Sequence, residues 1–334
     1  MLRLLSSVRL TLVGMALLCA GVLLSYNRPA APLWWLVAPL GLLAVNLLAA
    51  IALNPGINRQ GGLLVFHLAL LGIVVLAAVG RLVHLDGVVE VTEDSAFLPG
   101  DVQVLAKGPL HPMGFSKVFF VQGPFTVDYG PELSRSTTRS QVLAPDGAGR
   151  LVPMVVGDDH PLILHGYRFY TSSNKGFAPL LTWIPEHGKP VTGAIHMPSY
   201  PLFDWKQDNR WTPPGGTEIR FWLRLKTPLR ADAAWTLDRK DSSGVLIVSS
   251  GGRRIELKPG QTARLEGGSL RFDELRTWMG YKIFYDPTLP WLFVVAVAGV
   301  GGLAWHFWRR LGSSGPERTD RAAGFSAGHG ALHA

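Results

Sequence analysis

Residues 62–71 read Gly62-Leu63-Leu64-Val65-Phe66-His67-Leu68-Ala69-Leu70-Leu71, and no further polar side chain follows until Arg81. About 20 apolar residues suffice for a helix to cross the hydrocarbon core of a bilayer. This stretch, taken as Leu63–Val83, is therefore expected to span a membrane, with one imidazole sunk in it. Working outward, three more runs meet the same criterion: Leu10–Ser25 and Leu33–Leu53 before it, and Trp291–Trp308 far beyond it. Lipid offers backbone groups no hydrogen-bond partner, so all four are expected to be helical. The first run follows Arg3 and Arg9 as a signal peptide would. A second span follows within a few residues and no clear cleavage site separates them, so an uncleaved helix is expected.

Composition agrees. The 334 residues are 48% hydrophobic and only 17% charged, against about a quarter charged in soluble proteins, and the mean hydropathy is +0.21. The net charge of +8 is concentrated near the span ends: Arg3 and Arg9, then Arg59, then Arg309 and Arg310. In a four-span chain these fall on one side, which the positive-inside rule makes cytoplasmic. Arg28 and Arg81 run against that trend. Both termini are thus expected in the cytoplasm, with membrane lipid and no nucleic acid as the partner of this basic charge. The expected layout is a cytoplasmic N-terminus (1–9), three spans (10–83), an outer domain (84–290), a fourth span (291–308) and a disordered cytoplasmic tail (309–334). His329 and His333 in that tail are read as solvated.

The outer segment changes character. Short alternating runs, separated by Gly, Pro, Asp and Asn, occur at Lys117–Gln122, Phe125–Tyr129, Tyr167–Ser172, Glu218–Lys226, Trp235–Arg239, Gly244–Ser249, Arg254–Lys258, Ser269–Leu275 and Tyr281–Asp286. Such alternation predicts an antiparallel, sandwich-like all-β domain. Within Glu218–Lys226, Ile219, Phe221, Leu223 and Leu225 share one face and Arg220, Trp222, Arg224 and Lys226 the other. The first face is expected in the core. The second is a solvated face or a basic, Trp-bearing surface. The fold class is therefore membrane α + β, with three N-terminal helices and one C-terminal helix enclosing a β domain.

Motifs of soluble enzymes are missing: there is no phosphate-binding Gly loop, HExxH or GxSxG, and Asp158-Asp159 and Glu93-Asp94 read as short acidic loops. No catalytic residue is assigned. The lone Cys19 excludes an intramolecular disulfide, a CxxC pair and a multi-Cys metal site; it is read as an apolar filler. The intramembrane polar residues remain. His67 is a functional hypothesis by default, either as a haem-iron ligand or as a hydrogen-bonded packing residue. His306, in Trp305-His306-Phe307-Trp308-Arg309-Arg310, reads first as part of an interfacial anchor; it lies in the same leaflet as His67, so a shared site is open. His84, just past the third span, is expected to be solvated, with contact to a ligand at the outer surface as the alternative. Asn46 is expected to bond between helices, and Gly299, Gly301 and Gly302 to let a neighbouring helix close in. Trp34-Trp35 reads as an interfacial belt.

Taken in order, these features resemble the ResB family of cytochrome c maturation system II. The resemblance rests on the opening Leu2-Arg3-Leu4-Leu5-Ser6-Ser7-Val8-Arg9-Leu10-Thr11-Leu12, on Phe66-His67-Leu68-Ala69-Leu70-Leu71, on His160-Pro161-Leu162 followed by Gly166-Tyr167-Arg168-Phe169-Tyr170-Thr171-Ser172, and on Gly280-Tyr281-Lys282-Ile283-Phe284-Tyr285-Asp286-Pro287. The chain departs from the family in a shorter outer domain and in Asp158-Asp159-His160, where the family usually reads "NxP". The resemblance implies a non-autonomous subunit of a haem lyase in the bacterial inner membrane, working with a ResC/CcsA-type multispan partner. Together they carry haem b outward and present it to the CxxCH motif of apocytochrome c. It implies a transient haem-ligand role for His67, with His306 and His84 as weaker candidates. The reading from another class is a membrane-anchored β scaffold that braces a respiratory or assembly complex without binding haem.

Overall fold

The computed structural model describes residues 2–26, 32–226, 229, 231–240 and 243–312. Arg28 and the tail from 313, with His329 and His333, lie outside the described residues. Two compact units emerge: a helical one formed by the segments up to Arg81 and from Thr288, and a β unit, Leu82–Pro287.

In the helical unit a short turn α1 (Leu2–Leu5) precedes α2 (Val8–Tyr26). There follow α3 (Trp34–Leu53), the four-residue α4 (Pro55–Asn58), α5 (Gly61–Val83) and α6 (Leu289–Gly312). The helices α2, α3, α5 and α6 are long and apolar enough to cross a membrane, as expected. Asn46 of α3 is 3% exposed. Its Nδ2 donates to the carbonyls of Leu5 (2.6 Å) and Ser7 (3.1 Å), and its Oδ1 accepts from the Thr11 hydroxyl at 2.7 Å. It thus bonds between helices, tying α3 to the entry of α2. Pro39 lies inside α3 and has no N–H, so the Trp35 carbonyl loses its helical donor. Gly21 of α2 abuts that carbonyl so closely that no Cβ would fit, and its Cα–H offers the carbonyl a weak partner.

Glycines also set the seam between α5 and α6. A Cβ on Gly62 would lie 2.7 Å from the Gly302 carbonyl oxygen, and one on Gly302 would lie 2.8 Å from a Val65 methyl. Gly299 meets Ala69 and Gly72 meets Val295, whereas Gly301 faces open space. Two of the three glycines singled out in α6 therefore admit the neighbouring helix. Gly62 and Gly72 complete the seam from the other side.

In the β unit the strands are β1 (Leu85–Thr92), β2 (Gln103–Lys107), β3 (Val121–Tyr129), β4 (Arg135–Pro145), β5 (Leu151–Gly157), β6 (Leu162–Leu164), β7 (Tyr167–Pro185) and β8 (Val191–Ala194). They continue with β9 (Asp208–Trp211), β10 (Ile219–Leu225), β11 (Trp235–Asp238), β12 (Gly244–Ser250), β13 (Arg253–Leu257), β14 (Thr262–Leu265) and β15 (Gly268–Tyr285). All the pairings described are antiparallel. A large sheet runs β2-β1-β15-β7-β6, with β14 added on β15 and β8 on β7; two four-stranded sheets run β13-β12-β10-β9 and β11-β3-β4-β5. One hydrophobic core draws on all three sheets. The expected antiparallel β body is present, as three sheets rather than two. Its spine is the long pair β7 and β15, joined from Gly268↔Pro185 to Phe284↔Arg168 with two register shifts. Alternation fades in the middle of both strands because residues on both faces are covered. This is why the sequence suggested separate short runs there.

The face of β10 bearing Ile219, Phe221 and Leu223 is buried, as expected. Lys117–Gln122 forms strand only from Val121. Before it Val118 and Phe120 are buried, but Lys117 closes a 3-10 turn and the Phe120 carbonyl accepts from the Phe97 N–H. Two buried polar groups of residues knit the sheets. The Tyr281 hydroxyl donates to Gln122 Oε1 (2.6 Å), Gln122 Nε2 donates to Ser140 Oγ (2.8 Å), and Ser140 lies 2.8 Å from the Tyr281 hydroxyl. Glu93, 2% exposed, accepts from Arg239 (3.0 Å) and Thr277 (2.7 Å), and Arg239 also reaches Glu274 at 2.8 Å.

Lys175 is less well served. Fully buried, its Nζ donates to the Ser172 carbonyl at 3.4 Å and stands 5.9 Å from the centre of the Tyr129 ring. Burial, aided by the Arg135 charge and opposed by Asp158, brings its pKa down to about 8. Below about pH 8 the folded protein carries the whole penalty of the buried charge, on the order of 3 kcal/mol. Between there and the ordinary value of 10.5 the folded state sheds the proton first, so stability climbs with pH.

Two outcomes are expected. Gly62→Val should overpack the α5–α6 seam and cost about 1–3 kcal/mol, read as a lower unfolding temperature of the full chain in lipid nanodiscs. Lys175→Met should raise the unfolding temperature at pH 7, and its advantage over the wild-type chain should shrink steadily towards pH 10.5; an advantage independent of pH contradicts the assignment.

Candidate functional site

His67 is the seventh residue of α5, roughly 9 Å along the axis from Gly61 at 1.5 Å per residue. Its Nδ1 lies 2.8 Å from the Leu63 carbonyl oxygen one turn back. A carbonyl only accepts, so Nδ1 carries a proton, and in a neutral ring the lone pair is then on Nε2. The bond sets which nitrogen of the neutral ring carries the proton, as a carbonyl behind a metal-binding imidazole does. Among the described residues no hydrogen-bond partner is found for Nε2. The ring is half-buried, held edge-on by Phe66 at 5.5 Å.

The seam with α6 uses Gly62, Val65, Phe66, Ala69 and Gly72. At about 100° per residue, His67 lies about 100–160° around the helix from each of them. It looks away from α6. His306 sits on α6 with its backbone against Gly62 and its half-exposed ring edge-on to Phe307 at 5.6 Å. The two imidazoles are thus on neighbouring helices, yet the seam does not turn them towards one another. Trp305 and Trp308 beside His306 are exposed, in keeping with an anchor.

His84 is not the solvated boundary residue expected: it is 8% exposed. The reason is the loop after β2, which folds back on it, with the Gly108 N–H donating to the His84 carbonyl at 2.9 Å and the Leu110 N–H donating to Leu82. That loop brings in a histidine that no pattern along the chain singles out. His111, also 8% exposed, donates from Nδ1 to the Val83 carbonyl (2.8 Å) and accepts at Nε2 from the Tyr167 hydroxyl (2.7 Å). Burial lowers its pKa, so it is neutral, with both nitrogens in use. It braces the domain and offers no free donor atom. The only signal in the sequence was Pro112 after it, which marks a turn and nothing more.

Among the described residues no cluster of three His, Cys, Asp or Glu side chains gathers as a metal site would require. What the helical unit offers, among the described residues, is the His67 imidazole in an apolar setting, its orientation set by the bond to Leu63. Cys19 is exposed on α2, and Trp34 is exposed at the start of α3.

No curated protein matches the chain. The model of the ResB-like family matches residues 46–210, from Asn46 in α3 to Arg210 in β9. The match takes in His67, His84 and His111 and leaves out His306. On that match, and on four apolar helices accompanying an antiparallel β body, the chain belongs to the ResB-like family.

Proposed function

We propose that this chain is a subunit of the machinery that attaches haem to c-type cytochromes, and that His67 supplies an axial ligand to haem b as it crosses the bacterial inner membrane. Membership of the ResB-like family supports a part in cytochrome c biogenesis. The observation that carries the finer reading is the imidazole itself: Nδ1 is committed to Leu63, and Nε2 is left bare in an apolar helix. Leaving a polar atom unpaired in hydrocarbon is costly, and iron coordination would relieve that cost. A haem-iron ligand must be neutral, and the Leu63 bond selects the neutral tautomer whose Nε2 can bind.

Haem is cargo in this scheme. Its vinyl groups react with the two thiols of the CxxCH motif of apocytochrome c, one thioether forming as each S–H adds across a vinyl. The chain therefore needs a ligand and a scaffold, and no nucleophile of its own. His67 turns away from His306, so a second ligand would come from another chain, and a ResC/CcsA-type multispan protein is the partner that fits. Arg3, Arg9, Arg59, Arg309 and Arg310 orient both termini to the cytoplasm, which puts the β unit on the outer side, where apocytochrome would be met.

The test is the full chain purified with its multispan partner. His67→Ala should remove most of the co-purifying haem, read from the Soret band, and cut the yield of holocytochrome at least fivefold. Added imidazole should restore much of both. Unchanged haem content and cytochrome yield would leave the chain as a membrane-anchored scaffold.

A further inference from the structure

Midway along the spine of the β unit, between Thr171↔Tyr281 and Lys175↔Met279, the register changes, and Ser172, Ser173 and Asn174 bulge out opposite Gly280. The Asn174 N–H donates to Ser172 Oγ at 3.1 Å, and a Cβ on Gly280 would lie 2.7 Å from the Asn174 carbonyl oxygen. Bulges of this kind re-aim groups and recur beside functional sites. Here Asn174 lines, with Glu90 and His196, the place where two clefts meet. The Ser172 carbonyl has a different neighbourhood, and it is one of buried charge.

Two cations converge on that carbonyl. Arg135 Nη1 donates to it at 3.3 Å and Lys175 Nζ at 3.4 Å, so the two positive charges are neighbours. The carboxylate beside them is Asp158, and its oxygens are already engaged. Oδ1 lies 3.3 Å from Arg135 Nη2 and accepts from the Thr171 hydroxyl at 3.3 Å, while Oδ2 accepts from the Thr138 N–H at 3.1 Å. Two positive charges against one negative leave a surplus of one. Donors are in surplus too. An ammonium has three N–H bonds to give, and that of Lys175 finds, among the described residues, one long hydrogen bond and the face of Tyr129. Thr138 is 1% exposed, and among the described residues its hydroxyl has no hydrogen-bond partner.

We infer that Lys175, Arg135 and Thr138 bind a small monovalent inorganic anion of the size of chloride. A buried charge is costly unless it is paired. Water accepts hydrogen bonds from an ammonium and a hydroxyl but leaves the surplus charge in place, whereas an anion accepts the bonds and cancels the charge. A metal cation is repelled by the same surplus. Lys175 and Thr138 are 0% and 1% exposed, so an ion that reaches them must be small and must shed most of its water, which a halide does more readily than phosphate or sulfate. The side chains of Arg135 and Asp158 are 35% and 29% exposed, so the site has a charged edge in solvent through which an ion enters. Arg135 and Thr138 belong to β4 and Lys175 to β7, strands of different sheets. The ion therefore fastens two sheets together, and its binding stabilises the fold by mass action.

The experiment uses the full chain in lipid nanodiscs at pH 7 and constant ionic strength, with chloride replacing gluconate, an anion too large for the site. The unfolding temperature should rise with chloride and saturate, and equilibrium dialysis against radiolabelled chloride should retain one ion per chain. Lys175→Met should retain none, and the advantage expected for it at pH 7 should be greatest in gluconate and shrink as chloride is added. Thr138→Val, which keeps the shape and removes the hydroxyl, should weaken chloride binding at least fivefold without lowering the unfolding temperature in gluconate. His67→Ala should respond to chloride like the wild-type chain, so failure of the haem reading and failure of this one are separable. An unfolding temperature indifferent to chloride, a rise that never saturates, retention that survives Lys175→Met, or unchanged affinity in Thr138→Val overturns the inference.

Discussion

Hydrocarbon has no hydrogen bonds to give, and that scarcity organises the helical unit. Each polar atom carried into a span must find its partner on the chain, be met by something bound, or bear the cost of having none. Asn46 is the complete case: all of its amide is spent on Leu5, Ser7 and Thr11. The Trp35 carbonyl is the compensated case. Pro39 takes away its donor, and Gly21 closes over it. His67 is the half-finished case. One nitrogen is bonded within its own turn, and among the described residues the other has no hydrogen-bond partner, so the constraint that the other two meet is here met only in part.

The β unit meets a related difficulty by different means. Its spine is two strands of nearly 20 residues, and polar side chains buried between three sheets need a closed circuit. Tyr281, Gln122 and Ser140 form one such circuit, and Glu93 with Arg239, Thr277 and Glu274 forms another. Both join β15 to other parts of the unit, so they help to specify which strands meet as well as to satisfy their atoms. Among the described residues Lys175 finds one long hydrogen bond, and burial makes it hold its proton less tightly.

Taken with the bulge at Ser172–Asn174, these features suggest a division of labour inside one chain. The helices hold the His67 imidazole in one orientation, and the β unit carries two clefts that meet at Glu90, Asn174 and His196.

Much was legible in the residues themselves. The four spans follow from uninterrupted apolar runs, because the bilayer selects on length and hydropathy alone and both can be counted along a chain. The two faces of β10 follow from a period of two, which survives wherever one face is wet. Asn46 and His67 stood out as polar atoms in an apolar stretch. What the tertiary structure decided was everything that depends on a distant partner. β4 alternates in small polar residues, and Ser140 becomes core because Gln122 and Tyr281 meet it. β7 and β15 read as fragments because covering both faces erases the period. Gly62 and Gly72 gain meaning only once α6 lies against them. His84 is buried by a loop that folds back on it and carries His111, and Glu90, Asn174 and His196 line the same two clefts because a bulge and the segment after β8 set them side by side. Hydropathy is a property of each residue in turn. Adjacency across about a hundred residues is a property of the folded chain, and no local pattern encodes it.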